Sequence, residues 1–205
     1  MFDSALRRLI DPPLNRAGRA LAQRGILADH VTLAGLGLGL LAALMLAADL
    51  PAWLALVPVA ASRIADGLDG AIARATRKTD FGGYLDIACD FAFYGAIPLA
   101  FVIRDPAANA IAGAFVLFAF YVNAASFLGY AVMAEKRGMR SRAQGEKSLF
   151  YAAGLLEGTE TIAFFVALCL WPQHFAPLAW GFGALCLLTA LARILGARRQ
   201  FGIRS

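Results

Sequence analysis

Four aspartates interrupt two otherwise apolar stretches: Asp66 and Asp69 in the first, Asp86 and Asp90 in the second. Insertion scales assign roughly 2.5–3.5 kcal/mol to an Asp at mid-span, so the four together would cost about 10–14 kcal/mol at the bilayer centre. That is comparable to the stability of a whole domain and calls for a compensating partner. The spacing indicates which kind. Residues three or four apart share a helix face, so Asp66 and Asp69 share one face and Asp86 and Asp90 another. The short segment from Ala75 to Phe81 folds the two helices into an antiparallel hairpin, in which the four carboxylates converge. Clustered carboxylates with room for water and phosphate oxygens suit a hard divalent cation, Mg²⁺ or Mn²⁺. Two such ions would clamp a pyrophosphate and offset the charge of its transition state. The competing readings are a set of structural polar groups, or the proton relay of a transporter.

The neighbours of the aspartates fit the metal reading. Gly67 and Gly70 sit on the first helix, and Gly82 and Gly83 open the second. Glycine permits close helix packing in membranes and lets a bulky ligand approach the backbone. Arg74 follows one turn beyond Gly70, where a guanidinium can grip a phosphate through two hydrogen bonds. Arg63, one turn before Asp66, is either a structural ion-pair partner or a phosphate contact. Asp80 is expected to be solvated in the connecting loop. Glu157 and Glu160 share a face of a later segment, where they line the same cavity or pair with Arg63 or Lys147.

The elements that must hold this constellation are apolar helices. Of the 205 residues, 60% are apolar and 16% charged, against about 25% charged in a soluble domain. Met1 to Arg24 has no secretory signal pattern, so the apolar segments are expected to belong to the mature protein. Leu6, Ile10, Leu14, Ala17 and Leu21 recur at helical spacing among arginines, and Pro12 and Pro13 break the run. One or two short helices on the membrane surface are expected there. Six apolar segments follow: Val31 to Ala48, Ala52 to Ala73, Gly82 to Ile103, Ala107 to Ala134, Leu149 to Leu170, and Phe175 to about Leu195. Each is near the roughly 20 residues that cross a hydrocarbon core. Apart from Arg63 in a span and Arg104 on the opposite face, the Lys and Arg residues flank the spans on one side. The positive-inside rule places both termini and the two basic loops in the cytoplasm. The net charge of +5 is therefore a topology signal rather than a nucleic-acid footprint. Cys89, Cys169 and Cys186 lack metal or redox spacing and read as small buried hydrophobes, and His30 and His174 are isolated. The fold class is all-α: a polytopic membrane helix bundle of six transmembrane helices preceded by an amphipathic surface helix. Residues 1–30 are expected to form the juxtamembrane segment and residues 31–205 the six-helix transmembrane domain that holds the carboxylates.

The run Asp66-Gly-Leu-Asp69-Gly70-Ala-Ile-Ala73-Arg74, then Gly82-Gly-Tyr-Leu-Asp86-Ile-Ala-Cys-Asp90, resembles the motif of the CDP-alcohol phosphotransferase family, D-x-x-D-G-x-x-A-R followed by G-x-x-x-D-x-x-x-D. All eight fixed positions match, across a spacer of seven residues where the family has about eight. The resemblance implies that Asp66, Asp69, Asp86 and Asp90 ligate two divalent ions, Mg²⁺ or Mn²⁺. It implies that Asp90 is also the general base for the acceptor hydroxyl, which attacks the β-phosphorus of a CDP-linked donor and expels CMP. Gly70 and Arg74 would contact the nucleotide and its phosphates, with Thr79 a loop contact. Asp29-His-Val-Thr32 is similar to the family's P-N/D-x-x-T pattern, with Ala28 in place of Pro, which makes Asp29 and Thr32 further nucleotide contacts. The family's acceptor pocket borders the basic loop, so Arg140, Arg142 and Lys147 are candidate acceptor contacts. The implied protein is a homodimeric, multi-pass enzyme of the inner membrane that makes phospholipid, its active site facing the cytoplasm. Its donor is CDP-diacylglycerol and its acceptor a small polar alcohol: glycerol 3-phosphate first, with serine and inositol phosphate as alternatives. A proton-coupled membrane transporter is the reading from another class.

Overall fold

A computed structural model describes residues 3–138 and 158–202. Helix α1 covers Asp3–Gln23 and α2 Ala28–Ala47. A 3-10 turn at Ala52–Ala55 runs into α3, Leu56–Ala75, which is followed by α4, Asp80–Arg104, and α5, Pro106–Lys136. Helix α6 is described over Gly158–Leu170, and a 3-10 turn at Pro172–His174 leads into α7, Phe175–Phe201. The chain is an all-α polytopic membrane bundle. Among the described residues, four stretches are long and apolar enough to cross a membrane: α2, α4, α5 and the run Pro172–Phe201. Each has 20 residues or more, and 20 helical residues span about 30 Å, the thickness of the hydrocarbon core. Helix α3 has the length but carries Arg63, Asp66, Asp69 and Arg74.

The centre of the bundle is aromatic. Phe93, Ile97 and Phe101 of α4 meet Phe165 of α6 and Phe175 of α7, all buried. Phe93 and Phe165 pack edge to face with centroids 5.5 Å apart, and Phe101 stacks on Phe175 at 5.1 Å; such pairs add to simple area burial. Gly39 of α2 makes room for this core. A Cβ at Gly39 would stand 2.5 Å from the Phe93 ring, so any side chain there would push α4 away. At one end, Arg104 closes α4 onto the C-terminus of α2. It pairs with Asp49 at 2.6 Å and donates to the Leu50 carbonyl at 2.8 Å, both in the segment just past the end of α2.

Three expectations change. Pro12 and Pro13 do not break α1, which runs through them as one 21-residue helix. The prolines take helical φ and withdraw only two donors, while the following turns of α1 are fastened to α3. Asp80 is not a loop residue: it opens α4, in the first turn, where its charge complements the helix dipole. Arg193, counted with the basic flanks although it falls within the bounds of the sixth span, is buried in α7.

The fastening of α1 depends on Gly18. A Cβ there would stand 2.6 Å from the Ala71 Cβ and 2.9 Å from the Ala71 carbonyl carbon, and backbone does not yield. Gly18→Val is expected to cost about 1–3 kcal/mol, as overpacking does. It should also speed limited trypsin cleavage after Arg16, Arg19 and Arg24 in detergent; a cleavage rate equal to wild type would contradict this docking.

Candidate active site

Helices α3 and α4 are joined by only Thr76–Thr79. Thr79 is extended, and its Oγ1 accepts from the Gly82 N–H at 2.9 Å, capping α4. The tight connection, with both helices packed against α2 rather than along each other, brings their carboxylates together at one level. One oxygen from each of Asp66, Asp86 and Asp90 lies within 4.8 Å of the other two. Asp69, one turn further along α3, is buried, and its Oδ2 accepts from Thr32 Oγ1 of α2 at 2.5 Å. Helix α2 is thus a third wall of the site.

Arg63 sits among these carboxylates. Its Nη1 donates to Asp90 Oδ1 at 2.9 Å and lies 3.6 Å from Asp66 Oδ1, while Nη2 donates to Ser62 Oγ at 3.2 Å. The guanidinium carbon is 4.4 Å from the Phe93 ring centroid, a cation–π contact at a largely desolvated position. Its Nε is buried with no hydrogen-bond partner among the described residues. The link from sequence to site is physical: Gly39 admits Phe93, Phe93 carries Arg63, and Arg63 fixes Asp90. Thr32, Arg63, Asp66, Asp69, Cys89 and Asp90 line a cavity of about 10 Å³, the space of roughly one water. The donor set fits a divalent cation: oxygen ligands only, from three half-exposed carboxylates in reach of one another.

Towards the loop, Arg74 lies back over Gly70, its Nη1 3.2 Å from where a Cβ on Gly70 would stand. Both Nε and Nη2 of Arg74 donate to Asn15 Oδ1 of α1, at 3.3 and 3.0 Å. Asp29, in the first turn of α2, reaches the start of α4, its Oδ1 3.2 Å from a Cβ placed on Gly82.

Residues 25–192 match the family model described as CDP-alcohol phosphatidyltransferase. The chain belongs to the CDP-alcohol phosphatidyltransferase family. It is 44% identical over 196 residues to the inner membrane protein YnjF of Escherichia coli (strain K12), covering 95% of this chain and 94% of that protein. It is 39% identical over 88 residues to the archaetidylinositol phosphate synthase of Pyrococcus horikoshii, covering 42% of this chain and 46% of that one. As a CDP-alcohol phosphatidyltransferase, the protein is a membrane transferase of phospholipid biosynthesis, with a CDP-alcohol donor and an alcohol acceptor.

The structure brings Asp66, Asp86 and Asp90 together, with Asp69 and Thr32 beside them and Gly70 and Arg74 one turn on. Thr32 faces Asp69, and Thr79 serves as a helix cap. Arg140, Arg142 and Lys147, together with Glu157, lie outside the described residues. Two polar side chains stand out that the motif does not contain. Asn15 is the first, and no sequence signal marks it. Arg193 is the second: 5% exposed, its Nη1 2.6 Å from Ser126 Oγ and 2.9 Å from Asn123 Oδ1 of α5. An arginine inside an apolar span is a functional candidate by default, and that signal was present in the sequence.

Proposed function

We propose that this CDP-alcohol phosphatidyltransferase moves the phosphatidyl group from CDP-diacylglycerol to a small phosphorylated alcohol, glycerol 3-phosphate first, with release of CMP. The observation that carries the reading is the convergence of Asp66, Asp86 and Asp90 within 4.8 Å around the Arg63 guanidinium, with Arg74 close by on the same helix. In this reading Asp66, Asp69, Asp86 and Asp90 hold two divalent ions, Mg²⁺ or Mn²⁺. When bound, the ions neutralise the diphosphate and stabilise charge on the departing phosphate oxygen.

The remaining work belongs to the side chains. Arg63 engages Oδ1 of Asp90, which leaves Oδ2 to take the proton of the acceptor hydroxyl. The hydroxyl oxygen bonds to the β-phosphorus as the bond from that phosphorus to the CMP oxygen breaks, and CMP departs with the electron pair. Thr32 orients Asp69 through its hydroxyl. Arg74, with Gly70, Thr79 and Asp29 around the mouth, contacts the nucleotide and its phosphates. The lipid tails stay in the bilayer and the alcohol arrives from the cytoplasm; the distribution of Lys and Arg supports reading both termini on that side. The enzyme is read as a homodimer in the inner membrane, with residues 31–205 as its catalytic domain behind the juxtamembrane segment 1–30.

Inositol phosphate is the second acceptor, favoured by the name of the archaeal relative; like glycerol 3-phosphate it carries a phosphate, whereas serine does not. Family membership favours transfer chemistry over a proton-coupled transporter. The test is an acceptor screen with purified protein in nanodiscs, labelled CDP-diacylglycerol and Mg²⁺ or Mn²⁺. One phosphorylated alcohol is expected to stimulate CMP release at least about tenfold, equivalent to about 1.4 kcal/mol of barrier. Stimulation by serine alone would overturn the phosphorylated-acceptor reading.

A further inference from the structure

We infer that Asn15 of α1 is a positioning residue for Arg74, holding its guanidinium in the pose that receives the donor's phosphates. The inference rests on the proposed contact between Arg74 and the donor. It concerns a residue outside the family-matched segment, which begins at residue 25.

A guanidinium on a long exposed stem loses considerable rotamer freedom when it is fixed. Here much of that ordering is done before any ligand arrives. Nε and Nη2 of Arg74 both donate to one oxygen, Asn15 Oδ1, at 3.3 and 3.0 Å. This occupies one edge of the planar fork. Nη1 is left on the other side, packed back along α3 over Gly70 towards the carboxylate level. The free edge is the one a phosphate would take through paired N–H groups.

The chemistry of the acceptor matters. An amide oxygen holds the guanidinium without cancelling its charge, whereas a carboxylate at the same place would compete with the phosphate. The platform is firm as well. Gly18, three residues beyond Asn15, rests directly on Ala71, three residues before Arg74. Helix α1 therefore cannot slide along α3 without a clash, and the Asn15–Arg74 distance is set by the packing of two helices. The amphipathic helix is in this way part of the donor site, and not simply a membrane-surface appendage.

The test measures the Kd for CDP-diacylglycerol in nanodiscs with Mg²⁺ present and no acceptor, for wild type, Asn15→Ala, Arg74→Ala and the double variant. Asn15→Ala is expected to weaken binding about fivefold, as loss of an ordering hydrogen bond does, and Arg74→Ala at least about tenfold, as loss of a charge-assisted one does. The double variant should bind within about twofold of Arg74→Ala, because residues acting through one group are not additive. In turnover, KM of Asn15→Ala for the donor should rise with its Kd, by more than its kcat at saturating donor falls. Full additivity in the double variant, or unchanged binding by Asn15→Ala beside weakened binding by Arg74→Ala, would overturn the inference. Unchanged binding by Arg74→Ala would remove the donor-contact reading itself, and the inference with it. Melting temperatures within a few degrees of wild type identify the folded variants, and Asn15→Ser, which keeps a smaller polar side chain on α1, substitutes if the alanine variant fails that check.

Discussion

Asp90→Asn is expected to lower CMP release from CDP-diacylglycerol by at least about 10³-fold while leaving the protein folded. A positioned general base contributes about 10²–10⁴-fold, and the loss corresponds to roughly 4 kcal/mol of barrier. Asparagine keeps the shape of the side chain and its Oδ1, so the contact from Arg63 Nη1 survives in a weaker, neutral form. What disappears is the proton acceptor and one anionic oxygen of the cluster. Chelation should give a loss of the same order in the wild-type protein, since the carboxylates then face the donor's phosphates without the ions that suit them. Labelled CMP release with and without EDTA reads both arms. Activity that survives chelation and the Asp90 substitution together would sink the mechanism.

Arg63→Leu is expected to destabilise the metal-free protein by about 2–3 kcal/mol, the loss of a partly buried charged hydrogen bond and ion pair. Wild-type Arg63 supplies a cation 2.9 Å from Asp90 and 3.6 Å from Asp66. Leucine leaves those carboxylates facing one another across a low-dielectric cavity. The variant should melt roughly 5–10 °C below wild type in EDTA. Mn²⁺ should then restore most of the difference, because a ligand that binds only the folded state stabilises it by mass action. The gain in melting temperature on adding Mn²⁺ should therefore be larger for Arg63→Leu than for wild type. Equal melting temperatures in EDTA would mean that Arg63 is not the counter-charge of the empty cluster.

These two residues also mark how far the sequence could be read. Asp66, Asp69, Asp86 and Asp90 were legible because charge in an apolar run is conspicuous and a helix fixes which positions share a face. The convergence of Asp66, Asp86 and Asp90 rests on the short connection Thr76–Thr79 and on the packing of both helices against α2, which the sequence did not show. The motif around them led to the family, and the all-α membrane bundle followed from apolar runs of spanning length. Arg63 could be noticed but not assigned. Its role depends on Gly39 admitting Phe93 from another helix, and a contact between distant segments leaves no periodic trace. Asn15 was invisible for the same reason: an isolated Asn in an amphipathic helix reads as a solvated position until the helix it touches is known. Pro12 and Pro13 misled because local backbone preference suggested a break, whereas α1 runs on as one helix and its later turns dock on α3. Thr79 could be placed in the loop from the sequence, but its second role, capping α4 through the Gly82 N–H, depends on where α4 begins.

The charges of α3 bear on how the protein is made. Arg63, Asp66, Asp69 and Arg74 lie along a helix of 20 residues, and each ionised group raises the free energy of moving that segment from the translocon into lipid. Helix α2 carries only Asp29, in its first turn, and α4, despite Asp86 and Asp90, keeps an apolar window of spanning length. Helix α3 is therefore stable in a bilayer only as a member of a group, with its polar side chains sheltered by neighbouring helices. Once in the bundle, α3 packs along α2, on which α4 also packs, so its polar side chains face protein rather than lipid tails.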